Sequence, residues 1–199
     1  MPITASSCLD LFNDGVGDNG PYTVNVPGVG EIEVYCDMTT PPGGWTQIYD
    51  QEDPVYLPTT TWATGVNTSA PVRGRYSILH LIDEINGAAG GFEFYIDWPE
   101  DGGGTGFVRW SQPDNPFDSR SGASIDAQFP TNQGGCTPFS GLGNDGGTFS
   151  TLNGSDTIEC QWWAIGTSTA YGPGIPAYLT SDAPGAGGLI ATRTRLWLR

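Results

Sequence analysis

Val34-Tyr35-Cys36-Asp37-Met38-Thr39-Thr40, followed closely by Gly43-Gly44-Trp45-Thr46, is the stretch on which the reading of this chain turns. A strand, Ile32 to Tyr35, closes on a cysteine. An acidic-Met-Thr turn follows, then two glycines, then a tryptophan that opens the next strand, Trp45 to Tyr49. Cys36 lies 28 residues after Cys8, which sits in Ser7-Cys8-Leu9-Asp10-Leu11. Between the two cysteines, Leu9, Leu11 and Phe12 suit a short helix and Asp18-Asn19-Gly20-Pro21 a turn. Tyr22-Thr23-Val24-Asn25-Val26 alternates as a strand, and Pro27-Gly28-Val29-Gly30 turns the chain back. Residues 5–50 therefore read as a disulfide-stapled β unit.

Composition sets outer bounds. A chain of 199 residues is long enough for one sizeable core and suggests one domain, 1–199. Thirty Gly and 16 Pro predict short strands and long ordered loops, while seven Trp argue for a packed interior. Twenty-two acidic residues against seven Arg and no Lys give a net charge of −15, which repels phosphate backbones and anionic lipid. No nucleic-acid partner and no membrane insertion are expected. Nothing approaches the length of a transmembrane helix. Met1-Pro2-Ile3-Thr4 has neither a basic start nor an apolar run, so the chain reads as a mature segment of a secreted or surface protein.

The four cysteines, Cys8, Cys36, Cys136 and Cys160, show no C-x-x-C spacing, against a structural zinc site. Of the three possible connectivities, Cys8–Cys36 with Cys136–Cys160 is favoured because each pair closes a local loop. Each bridge is expected to stabilise by about 3.5 kcal/mol and implies an oxidising compartment.

Farther along, 50–71 reads as a Pro/Thr-rich connection. Tyr76, Leu79, Ile82 and Ile85 recur at helical spacing and predict a helix over 72–86, ended by Asn86-Gly87. His80, the sole histidine, is expected there as a surface or packing residue. Phe92–Trp98 is a predicted strand with Gly106–Trp110 as its hairpin partner. Asp97, Glu100 and Asp101 are read as a solvated hairpin end. Residues 111–148 show no obvious elements. Cys160–Ile165 is a buried-looking strand, and Thr192–Arg199 is expected to close the main sheet.

The opening motif resembles the N-terminal signature of the fibrinogen-related domain, the recognition module of ficolins, tachylectins and, more distantly, intelectins. The helix segment "YSILHLIDEI", then "FEFYIDWPEDG" and "GFVRW", resembles the family's helix and the two strands after it. Gly147-Thr148-Phe149-Ser150-Thr151 is similar to its "FST" segment, Cys160 with Trp162-Trp163 to its cysteine and tryptophan pair, and "TRTRLWLR" to its last strand. The resemblance covers most of the chain in order. It implies an α+β domain: the 5–50 β unit, then over 51–199 a mostly antiparallel central sheet with one main helix and a loop-rich binding region. The shortness of the chain suggests a compact, microbial variant. Where the family carries an acidic calcium loop, this chain has Leu152-Asn153-Gly154-Ser155-Asp156, with one carboxylate. No Cys follows Cys160, which leaves Cys136 as its partner.

The resemblance implies binding rather than catalysis. With no Lys, one His and cysteines assigned to bridges, neither a Schiff base nor a nucleophilic triad is in view, and no enzyme is expected. The expected ligand face spans 144–171. Trp162, Trp163 and Tyr171 would form an apolar wall, with one tryptophan buried and one at a depression. Asn153 and Asp156 would meet hydroxyls, and Asn144, Asp145, Asn153 and Asp156 would supply oxygens to calcium. Two readings follow. One is an extracellular lectin-like module for carbohydrate or acetylated groups, glycans on cell surfaces, assisted by calcium. The other is a structural or adhesion module of a surface appendage or matrix, acting as a homo-oligomer or within a larger surface protein.

Overall fold

The computed structural model describes residues 5–52, 57–87, 90–99, 107–118, 124–125, 139–144, 150–156, 161–166 and 192–199, with only the backbone described at 107–108, 124–125, 139–140, 155–156 and 161–163. Among these residues three short helices, α1 (Cys8–Asn13), α2 (Thr59–Thr64) and α3 (Ile82–Asn86), accompany eleven strands. These are β1 (Gly20–Val26), β2 (Gly30–Asp37), β3 (Trp45–Glu52), β4 (Arg75–Ser77), β5 (Phe92–Asp97), β6 (Phe107–Gln112), β7 (Ser124–Ile125), β8 (Phe139–Asn144), β9 (Leu152–Asp156), β10 (Gln161–Ile165) and β11 (Arg193–Leu198).

Eight strands form one antiparallel sheet in the order β1-β2-β3-β11-β5-β6-β7, with β4 against β3; β10-β9-β8 form a second sheet. The N-terminal unit is thus continuous with the central sheet, joined through Cys36↔Thr46 and Asp37↔Trp45. The last strand, β11, lies at the centre of the sheet between β3 and β5 rather than at its margin.

Neighbouring residues on a strand face opposite ways, so this sheet buries two layers. Leu196 and Leu198 join the large core with Ile48, Phe94 and Ile96, whereas Trp197 joins Trp45 and Tyr95 on the other face. Tyr95 stacks on Trp197 at 5.2 Å and meets Trp45 edge-on at 4.9 Å, as ring quadrupoles prefer.

The opening motif is built around one carboxylate. Asp37 Oδ1 accepts from the Thr39 and Thr40 amides, both at 3.0 Å, and Oδ2 accepts from the Tyr95 hydroxyl at 2.8 Å. The acid thus forms the turn and ties it to the aromatic layer. The Trp45 indole donates to Thr40 O at 2.9 Å, and Met38 N to Asn19 Oδ1 at 2.6 Å. Gly43 has φ +90°, and a Cβ there would strike the Phe12 ring and Met38 O. Beneath the turn, Cys8 and Cys36 form the expected disulfide. The second expected bridge, Cys136–Cys160, lies outside the described residues.

The helix expected over 72–86 is corrected. Residues 75–77 are strand β4, paired Tyr49↔Ser77 through Gln51↔Arg75; a 3-10 turn covers Leu79–Leu81, and only 82–86 is α-helical. Edge pairing with β3 satisfies the backbone of 75–77 better than an isolated helix would. The three-residue spacing of Leu79 and Ile82 suits a 3-10 turn as well as an α-helix, and both side chains are fully buried. Asp97, read as solvated, is instead 14% exposed and ion-paired to Arg195, which lies opposite it on β11. Glu100 and Asp101 lie outside the described residues. The 50–71 connection contains α2, whose Trp62 is fully buried against Tyr49.

Candidate functional site

The expected ligand face is carried in part by the smaller sheet. Antiparallel pairing sets Asn144 opposite Leu152, and Asn153 opposite both Gly143 and Ala164. Trp163 is opposite Gly154, with a bulge between Gln161 and Trp163 at Trp162. Asn144, Asn153, Asp156, Trp162 and Trp163 are therefore brought onto one three-stranded sheet. Asn144 is exposed at the end of β8, while Asn153 is 4% exposed. The side chains of Asp156, Trp162 and Trp163 are not described, and Asp145 and Tyr171 lie outside the described residues.

Polar clips anchor this sheet to the larger one. Gly166 N donates to the Tyr49 hydroxyl of β3 at 2.7 Å, while Thr151 Oγ1 donates to Thr59 O at the start of α2 at 2.8 Å. Gln112 at the end of β6 accepts from Leu142 N at 2.9 Å and donates to Leu142 O at 3.1 Å, so its amide substitutes for a missing strand neighbour. The Tyr49 phenol is fully buried, and burial pushes its pKa well above the ordinary tyrosine range; it stays a neutral hydroxyl.

Calcium requires six to eight oxygens, several of them anionic. Of the expected donors, the described side chains are the amides of Asn144 and Asn153. Among the described residues no three His, Cys, Asp or Glu side chains gather as a metal site. The two carboxylates of the expected set, Asp145 and Asp156, are not among the described side chains.

A second concave surface lies at another end of the fold, where α1, the C-terminus of α3, the start of β5 and the end of β11 converge. It is a depression of about 730 Å³ in which Leu9, Ile85 and Phe92 supply apolar surface and Asp10, Glu93 and Arg199 charge. Its volume falls within the usual range for ligand pockets. Arg199 pairs with Glu93 at 2.5 Å and donates from Nε to Gly43 O at 2.8 Å. Asp10 Oδ2 accepts from Ser6 N and Ser6 Oγ at 2.8 and 2.7 Å, fixing the approach to α1. Sequence reasoning missed this region because it joins segments as distant as Asp10 and Arg199. The alternation of Phe92 and Glu93 is the one local signal, and by itself it indicates only a strand.

His80 is exposed on the 3-10 turn, as expected of a surface histidine. Burial of part of the ring lowers its pKa, opposed by the nearby Glu84 carboxylate.

No protein-family model matches the chain. A 52-residue segment is 44% identical to angiopoietin-2 of Canis lupus familiaris and a similar one 42% identical to that of Homo sapiens. These matches cover 26% of this chain and about a tenth of the length of those relatives. Among solved structures, the fibrinogen-like globe domain of human ANGPTL6 superposes with a TM-score of 0.61 at 18% identity, covering 100% of this chain and 96% of that one. The corresponding human ANGPTL2 domain gives 0.58 at 16% identity, over 98% of both chains. Lamprey fibrin D-dimer complexed with the peptide Gly-His-Arg-Pro amide gives 0.58 at 16% identity, over 100% of this chain and 74% of that one. The chain has the fibrinogen-like globe fold.

Proposed function

We propose that this fibrinogen-like globe is an extracellular, non-enzymatic recognition module that holds a protein partner in adhesion or in the assembly of a surface structure. The observation that carries the reading is the fold over the whole chain, which in the lamprey relative is found with a peptide ligand. The Cys8–Cys36 disulfide suits an oxidising, extracellular location. The buried polar groups support the same view: Asp37, Gln112 and Thr151 are spent on holding loops and sheets together, which is scaffolding work rather than chemistry.

A second reading, carbohydrate or acetyl-group binding on the 144–171 face with calcium assistance, is supported by the pairing that gathers Asn144, Asn153, Trp162 and Trp163 on one sheet. One experiment separates the two. The purified module is applied to arrays of extracellular-matrix proteins and of glycans, each with calcium and with chelator. Saturable retention on a protein, unaffected by chelator and absent from glycans, is the expected result. Retention on acetylated glycans that chelator abolishes would establish the lectin reading instead.

A further inference from the structure

We propose that the depression between α1, α3 and the β5–β11 end is a docking site for a cationic peptide segment with a neighbouring apolar side chain. This rests on the reading of the chain as a protein-recognition module and names the site and the partner's chemistry. None of its lining residues falls within 144–171, so it is separate from the face expected from sequence.

Three observations converge. The first is shape: apolar surface from Leu9, Ile85 and Phe92 lies beside carboxylates in one concavity. An aliphatic or aromatic side chain can leave water there while a neighbouring charge stays at the rim. The second is unspent acceptor capacity. Asp10 uses Oδ2 for both Ser6 bonds, and Glu93 uses Oε2 for Arg199. Oδ1 of Asp10 and Oε1 of Glu93 remain for an incoming ammonium or guanidinium, and the Glu93 side chain is 47% exposed. Two carboxylates against one guanidinium leave the site net negative.

The third is the field around it. The chain carries nine carboxylates and neither Lys nor Arg before Arg73, and α1 belongs to that acidic third. Among the described residues, Arg73, Arg193, Arg195 and Arg199 are each already paired with an acid. A cationic segment is therefore drawn towards this end, and an acidic one is repelled.

The test uses isotopically labelled, oxidised protein and two capped peptides, acetyl-Leu-Arg-Phe-Lys-amide and its acidic counterpart acetyl-Leu-Glu-Phe-Asp-amide, followed by amide NMR shifts. The expected result is saturable shifts at Ser6, Asn86, Glu93 and Ser111 with the cationic peptide alone. They should weaken about fivefold in the Asp10→Asn/Glu93→Gln protein and fall further as salt is raised. No shifts, shifts confined to other regions, or equal shifts with both peptides would overturn the assignment. The wild-type mapping is decisive even if the double variant folds poorly. Retention on a matrix protein that the double variant keeps in full would also overturn it while leaving the recognition reading intact. Peptide contact at the depression without matrix retention would do the reverse.

Discussion

Asp97 and Arg195 face each other across β5 and β11, and the guanidinium grips the carboxylate with both Nε and a terminal nitrogen. The Trp197 indole adds a third donor to Asp97 at 3.0 Å, and Arg195 lies 5.0 Å above the Trp197 ring. Burial works against both charges: at Asp97 it outweighs the donors from Arg195 and Trp197 and raises the carboxyl's pKa, while at Arg195 the carboxylate outweighs burial and holds the guanidinium above its ordinary value. Removing one member strands the other in a poorly hydrated site. Asp97→Ala is expected to cost about 3–5 kcal/mol, and the Asp97→Leu/Arg195→Met pair far less. A double-mutant cycle in urea checks this; additive single effects would show that the pair is not coupled.

Asp37 should carry a measurable share of acid sensitivity. Burial alone would raise its pKa, but donors from Thr40, Tyr95 and Thr39 outweigh that and hold the carboxyl below the ordinary aspartate range. The folded state therefore binds this proton less readily than the unfolded chain. Its stabilisation is complete above the unfolded pKa, near 4, and is lost as pH falls through the lower folded value. Asp37→Asn is expected to lose about 1–2 kcal/mol at pH 7. The gap to wild type should shrink as pH drops below about 4 in denaturation curves taken at several pH values.

The Cys8–Cys36 bridge closes a loop with a sequence separation of 28. On the chain-entropy model it contributes about 3.5 kcal/mol. The Cys8→Ser/Cys36→Ser protein should show a urea midpoint lowered accordingly, with β1–β2 amides exchanging first in hydrogen-exchange measurements.

Gly166 tests the seam between the two sheets. Its φ is +59°, and a Cβ there would collide with Thr151 Oγ1. Gly166→Ala should destabilise by about 2 kcal/mol or more through backbone strain and the displaced Thr151 clip. Tyr49→Phe removes the acceptor for Gly166 N and should cost about 1–3 kcal/mol. Because both act on one seam, their effects in calorimetry should be less than additive.

Local chemistry made the first fifty residues legible. Turn residues fixed the β1–β2 hairpin, and the spacing of the cysteines identified the bridge that the fold contains. What escaped depended on partners far along the chain. Residues 75–77 have a helical apolar spacing, but they pair with β3, more than twenty residues earlier. Asp97 sits among acids in sequence, and only its register with Arg195, 98 residues on, shows why it is buried. Helix α2 is largely threonine, with weak intrinsic preference, and is held by its buried Trp62. On the expected ligand face, Asn144, Asn153 and Trp163 lie on neighbouring strands whose pairing no local pattern encodes. The depression likewise joins the beginning and end of the described chain.

The central place of β11 has a consequence for synthesis. Until residues 193–198 leave the ribosome, β1-β2-β3 and β5-β6-β7 are two separate half-sheets, and the facing borders of β3 and β5 are bare. Each bare border offers a row of unpaired amides and carbonyls flanked by aromatic side chains, a ready template for joining another nascent copy. β11 is thus the wedge that turns two half-sheets into one. A chain that contains β1 to β6 but is cut before Arg193 is therefore expected to aggregate rather than to form a weaker version of the same domain, which light scattering of that truncation checks.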